Sequence, residues 1–157
     1  MSRPLTTLAR RLRDELPELD RTVREAIDEW RRAALAKRDH DVFIKAVALD
    51  LHSFYSGVET LFELIAREVD GTAPSGDSWH VALLQRMGTQ VPGIRPAVIG
   101  GDTMGALDEI RGFRHRVRNI YASNLDAAKM RVMVSSISVL WPRLMAEISV
   151  FADFLEE

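Results

Sequence analysis

The sequence predicts an all-α protein, an up-and-down bundle of four to five helices. Apolar residues recur at three- and four-residue spacing along almost the whole chain. No stretch alternates apolar and polar residues as a half-buried strand would. Glycine, proline and Asx residues gather in a few short places that separate the long periodic segments.

The first segment spans residues 4–38, where Leu5, Leu12, Leu16, Leu19, Val23, Ile27, Trp30 and Ala34 trace one stripe. Pro17 either interrupts it or opens a second helix after a short first one. RDHD at 38–41 punctuates. A long helix is then expected from about Asp41 to Val69, with Val42, Phe43, Ala46, Leu49, Phe54, Val58, Leu61, Phe62 and Ile65 on its buried side. Asp70-Gly71 ends it, Gly71 being suited to a left-handed cap. GTAPSGDS at 71–78 reads as a loop, with Asp77 or Ser78 as cap for a short helix, WHVALLQRMG. Residues 88–102 are rich in Gly and Pro and read as irregular. Asp102 or Thr103 starts the next helix, ASNLD at 122–126 breaks it, and a last helix runs from about Asp126 to Phe154 with a kink expected at Pro142.

With 157 residues the chain reads as one domain, 1–157, whose first 38 or so residues form a helical extension. The absence of cysteine excludes disulfides, thiol chemistry and Cys-based zinc sites. Four histidines without HxxxH or HxH spacing give no metal pattern, and no Gly-rich phosphate loop is present. Neither a cofactor nor a metal is therefore expected. No unbroken apolar run approaches the ~18 residues of a membrane span, and the N-terminus lacks the apolar stretch of a signal peptide. A cytoplasmic location without membrane contact is the expectation. A net charge of −2 excludes a uniformly basic surface but leaves room for a local basic patch.

Such a patch stands in EIRGFRHRVRNIYASNLD, residues 109–126, where four arginines and a histidine fall within eight residues. At 100° per residue, Ile110, Phe113, Val117, Ile120 and Tyr121 gather on one side of a helix. Arg111, Arg114, His115 and Arg118 gather on the opposite side, with Asp108 and Asn119 at its edge. A solvated face near a helix C-terminus is one reading, since the dipole favours cations there. Solvated faces, however, usually mix signs at i, i+4, whereas this one stacks like charges at a cost. Guanidinium forks grip phosphate oxygens and an imidazole moves protons near neutral pH. The second reading is therefore a phosphate-handling site.

These residues, together with ALDLHSFYSGVETLFELIAREVDG, PSGDSWHVALLQRM and GIRPAVI in this order, resemble the HepT-like ribonuclease toxins of the HEPN superfamily. The resemblance covers roughly residues 45–135; outside it the likeness is one of helical character alone. It implies a HEPN-like bundle and a homodimer in which motif helices from two subunits line one cleft. It also implies metal-independent RNA cleavage and a minimal nucleotidyltransferase (MNT) antitoxin as partner. The family motif is an Arg, four to six residues, then a His, commonly with a Tyr one residue further on. In the best register Arg114 takes the arginine place and Tyr121 the tyrosine place, and the histidine place holds Asn119. Asn cannot act as a general acid or base near pH 7.

Pairing Arg111 with His115 leaves three intervening residues, one short of the pattern. His115 is open to three roles: catalytic substitute, phosphate contact, or plain surface histidine. The resemblance thus makes Arg114, His115 and Asn119 the catalytic candidates and Arg111 and Arg118 the RNA phosphate ligands. Tyr121 is either packed or the target of AMP transfer by the partner, and the two are compatible. Glu59, or Asp50, is a possible orienting acid on the second long helix. Trp79-His80 has two readings, a site histidine or, the favoured one, a Trp anchor with a helix-start histidine beside it. Three functions compete: an active endoribonuclease toxin, a catalytically weakened HEPN protein that binds RNA or a partner, and a helical module gripping an acidic protein.

Overall fold

The computed structural model describes residues 3–119 and 127–157, with side chains described at 5–113 and 127–157. Among these residues it is all-α, with helices α1 (Arg3–Leu35), α2 (His40–Ile65), α3 (Trp79–Met87), α4 (Gly101–Asn119) and α5 (Ala127–Glu156). The β-type pairing among them is one isolated antiparallel bridge, Val91 to Arg95.

Helix α1 passes through Pro17 without a break, so neither an interruption nor a second start is found there. An interior proline costs about 3 kcal/mol, and the offset is visible in the packing. Leu8, Leu12, Leu16, Leu19, Val23 and Ala26 are buried on both sides of it, against α2 and α5. Gly57 of α2 allows close approach, since a Cβ there would lie 2.7 Å from Leu19 Cδ2. Polar groups fix the register with α5: Arg13 pairs with Asp153 and Glu156, and Trp141 Nε1 donates to Asp20 Oδ1 at 2.9 Å. The segment read as an extension is thus part of the common core.

The α1–α2 turn takes Asp39 into the left-handed region, φ 61°, and His40 Nδ1 donates to the Ala33 carbonyl at 2.8 Å. The buried stripe of α2 runs through Ile44, Val47, Ala48, Leu51, Phe54, Val58, Leu61 and Ile65. Val42 and Leu49, expected inside, are exposed, and so is Ala34 of α1. Val42 and Leu49 lie seven residues apart on the side of α2 away from the core. Phe54 meets Trp141 of α5 edge to face, centroids 5.6 Å apart. Helix α2 ends in a π-turn, Ala66–Asp70, and Gly71 (φ 95°) supplies the expected left-handed cap. Ser78 stands at the N-cap of α3 but makes no side-chain cap bond. Helix α5 is continuous through Pro142. Its length and composition would suit a membrane span, yet its apolar side is the inner wall of the bundle.

Contacts set the directions. Leu19 against Gly57 and Ala33 against His40 make α1 and α2 antiparallel. Arg13 against Asp153 and Asp20 against Trp141 make α1 and α5 antiparallel. Thr103 bonds Glu147, and Phe113 shares a hollow with Met133, so α4 and α5 are antiparallel too. It follows that α4 runs against α2.

The irregular stretch between α3 and α4 is held by Arg95, whose side chain is fully buried. Nε and Nη2 donate to the two Asp70 oxygens at 2.6 and 2.9 Å. Nη2 also reaches the Arg86 carbonyl at 3.1 Å, and Nη1 the Thr89 and Pro96 carbonyls at 3.0 Å each. All five N–H donors of the guanidinium are used. Removing one partner of such a pair leaves an uncompensated buried charge, a loss of about 3–5 kcal/mol. Arg95→Ala and Asp70→Asn should each lower the urea midpoint by a corresponding amount. Arg95→Lys should lie between them and wild type, because an ammonium cannot make the fork. An unchanged midpoint for Arg95→Ala would refute this role.

Two carboxyls meet where α1 faces α2. Burial first, then the hydrogen bond and charge of Asp50 and the charge of Glu25, push Glu29 up to about 7 from 4.5, with Arg32 opposing. Glu29 Oε2 and Asp50 Oδ2 are buried and, among the described residues, meet no N–H or hydroxyl donor, which leaves a proton held between the two carboxyls as their link. A raised folded-state value means stability that is full below about pH 4.5 and lost as pH rises through about 7. In thermal melts the margin of Glu29→Gln over wild type should therefore grow between those two values and stay level above them. A margin independent of pH would contradict the assignment.

Candidate functional site

Helix α4 is launched from both ends of its first turn. Glu147 of α5 accepts from the Gly100 amide and from the buried Thr103 hydroxyl. Just before, Val98 and Ile99 amides donate to the Met87 carbonyl that ends α3, at 2.8 and 3.2 Å. From there Thr103, Leu107, Ile110 and Phe113 are buried at spacings of three and four, and this stripe fixes the rotation of the whole helix.

That rotation changes the reading of the basic cluster. Arg114 follows fully buried Ile110 by four residues and fully buried Leu107 by seven. Its register position therefore adjoins the buried stripe and does not oppose it. Arg111, Arg114 and Arg118 fall within about 60° of one another, along the flank of the bundle-facing side. His115 and Asn119 fall further round, toward the outside. Register positions 111, 114 and 118 thus run along one edge of the buried stripe, a seam on the surface of α4. Arg111 is partly buried and leans back one turn to Asp108 at 2.9 Å. The side chains of Arg114, His115, Arg118 and Asn119, and all of Tyr121, lie outside the described ones. Beside this end of α4 a shallow apolar hollow of ≈ 270 Å³ is lined by Phe113, Ala128, Lys129, Val132 and Met133.

Glu59 is buried on α2, and its Oε2 lies 2.6 Å from His80 Nδ1 on the first turn of α3. The Trp79 ring stacks on the His80 ring, centroids 3.6 Å apart and tilted by 31°. Asp50, the other acid considered, is turned to Glu29 of α1. The pairing of His80 with Glu59 escaped sequence reading because the two are 21 residues apart on different helices. The Trp-His dipeptide after a loop was the visible trace of it. Among the described residues no three His, Asp or Glu side chains are placed to share a metal ion.

Comparison with known proteins follows the same residues. No curated protein and no solved structure matches the chain. Residues 46–155 match the family described as HepT-like protein, a span that takes in α2 from its first turns, α3, the whole of α4 and nearly all of α5. The match covers most of the chain and reaches beyond residue 135 into the last helix, and on it the protein belongs to the HepT-like family of HEPN-type, toxin-like proteins.

Proposed function

We propose that the protein is a metal-independent endoribonuclease toxin that cleaves RNA at its arginine seam, in a composite site where α4 helices of two copies face each other. The observation that carries this reading is the register of α4 inside the family-matched span. Three arginines align along one flank of a helix whose other positions are fixed by the core. In this scheme the RNA 2′-hydroxyl attacks the adjacent phosphorus. Arg114 stabilises the charge gathering on the phosphoryl oxygens. Arg111 and Arg118 hold flanking phosphates. His115 or Asn119 stands beside the reacting groups. Two copies of the seam across a two-fold axis would let a chain of net charge −2 bind a polyanion. The proposed partner is a minimal nucleotidyltransferase antitoxin. AMP placed on Tyr121 by that partner would set negative charge and bulk beside the arginines.

Asn119 favours a second reading, a family member that binds RNA or a partner and cleaves weakly or not at all. Incubating single-stranded RNA with the purified protein in EDTA separates the two. The proposal expects cleavage that falls by ~100-fold or more in Arg114→Ala, with RNA affinity that declines steeply with salt. Cleavage that appears only in Asn119→His would establish the binding reading instead. RNA affinity indifferent to both salt and Arg114 would dismiss RNA as the ligand.

A further inference from the structure

Attack by a 2′-hydroxyl needs a group that takes its proton. The place where the family pattern holds histidine is Asn119, which cannot do so near pH 7. His80, on a different helix, is built for the task. We propose that His80 is the proton acceptor of the RNA-cleaving site and that Glu59 is its positioning residue. This deepens the ribonuclease reading above and rests on it.

Four observations support the assignment. A carboxylate accepts hydrogen bonds, so the 2.6 Å contact assigns the hydrogen to His80 Nδ1 and leaves Nε2 as the acceptor atom of the ring. Glu59 is buried, and burying a carboxylate is costly unless it is paired, so its bond to the ring is a deliberate feature of the core. The Trp79 ring, stacked at 3.6 Å, restrains the imidazole from the side while 27% of the His80 side chain stays open to solvent. His40, by contrast, spends its Nδ1 on a backbone carbonyl in the α1–α2 turn.

Placement agrees. Helix α3 packs on both α2 and α4. Leu19–Gly57 and Phe54–Trp141 mark the middle of the bundle, and Glu59 stands just beyond them toward the C-terminal end of α2. Because α4 runs against α2, that is the level of the first half of α4. Arg111 leans back toward the same half, onto Asp108. Gly88, at the end of α3, abuts Met104 (a Cβ there would lie 2.7 Å from its Sδ), and Met104 shares a face of α4 with Arg111 seven residues on, so a phosphodiester gripped by Arg111 lies on the side of α4 where α3 packs.

The proton balance closes without a metal or cofactor. His80 Nε2 takes the 2′-hydroxyl proton as the O2′–P bond forms. The P–O5′ bond breaks, and the 5′-oxygen takes a proton from water. The hydroxide so formed removes the proton from the His80 imidazolium, and the ring returns to its starting state. The products are a 2′,3′-cyclic phosphate and a 5′-hydroxyl.

The test compares wild type, His80→Ala, His80→Asn, Glu59→Gln and Arg114→Ala on one fluorescent single-stranded RNA in EDTA. Cleavage rate, RNA affinity and melting temperature are read for each. His80→Asn can still donate to Glu59 but cannot carry a proton. The proposal expects both His80 variants to lose ~100-fold or more in rate while RNA affinity stays near wild type; melting temperature stays near wild type in His80→Asn, which keeps a donor for Glu59, and falls in His80→Ala, which leaves the buried carboxylate unpaired. It expects added imidazole to restore part of the rate to His80→Ala, and Glu59→Gln to lose less than either. Wild-type rates in both His80 variants, beside an inactive Arg114→Ala, would overturn the role of His80 and leave the arginine site standing. A rate loss in His80→Asn that tracks a fall in its melting temperature, with no rescue of His80→Ala by imidazole, would make His80 structural. No cleavage by wild type would overturn the ribonuclease reading and this inference together.

Discussion

The buried guanidinium of Arg95 is the constraint on which the rest of the structure depends. Residues 88–100 have almost no regular hydrogen bonding of their own, yet they must deliver α4 to the bundle at one rotation. Arg95 ties the end of α2 (Asp70), the end of α3 (Arg86), the loop after it (Thr89) and its own neighbour Pro96 to a single planar group. A hydrophobic plug would fill the same volume but would take the guanidinium donors from the Asp70 carboxylate and the Thr89 and Pro96 carbonyls, and leave the Arg86 carbonyl with the Thr89 amide alone. The planar fork satisfies them in one geometry, which is why position matters as much as stability here. Glu147 then repeats the device on a smaller scale, receiving the Gly100 amide and the Thr103 hydroxyl as α4 begins.

Rotation of α4 is what converts a basic sequence into a candidate site. The stripe Thr103, Leu107, Ile110, Phe113 faces inward, and the arginine register follows along its flank. The like-charge crowding at 111, 114 and 118 is unfavourable for an isolated helix, so the fold must supply the cost elsewhere. It does so through apolar burial by α1 and α5. Helix α1 begins far outside the family-matched span, yet Leu12, Leu16, Leu19 and Val23 sit in the same core as Ile110. The family-matched helices are thus completed by a helix that the match does not include.

The helices were legible because their periodicity is a local property. The left-handed cap at Gly71, the short helix at Trp79 and the loop between residues 88 and 100 could all be read from neighbours in sequence. Misreadings have a common physical origin. Val42 and Leu49 are apolar, but the phase of α2 is set by Val47, Leu51, Phe54 and Val58, and a seven-residue pair outside that phase faces out. Pro17 looked like a boundary because its local cost is fixed, whereas the packing that offsets it comes from α2 and α5. The basic cluster was found at once, yet it was placed opposite the apolar residues. Of the apolar positions on the helical wheel, Leu107, Ile110 and Phe113 are described and buried, and at 100° per residue Arg114 falls about 40° from Ile110 and about 20° from Leu107. The His80–Glu59 contact was beyond reach, since nothing local links two side chains on separate helices.

A seam, as opposed to an open face, also bears on how a chain with more acids than bases would favour a polyanion under the proposed function. Long-range attraction cannot be the source, because the summed charge is slightly negative and salt screens distant charges within about 10 Å. What remains is short-range: arginines at register positions along one flank of α4, of which Arg111 is paired with the half-exposed Asp108 one turn away. An exposed pair of that kind contributes little to stability, so Asp108 can yield Arg111 to a phosphate at small cost. The acidic balance of the remaining surface then opposes indiscriminate adhesion to nucleic acid. On the proposed reading, selectivity for a phosphate seated in the seam, over a phosphate passing the surface, would follow from where the arginines sit and not from how many there are.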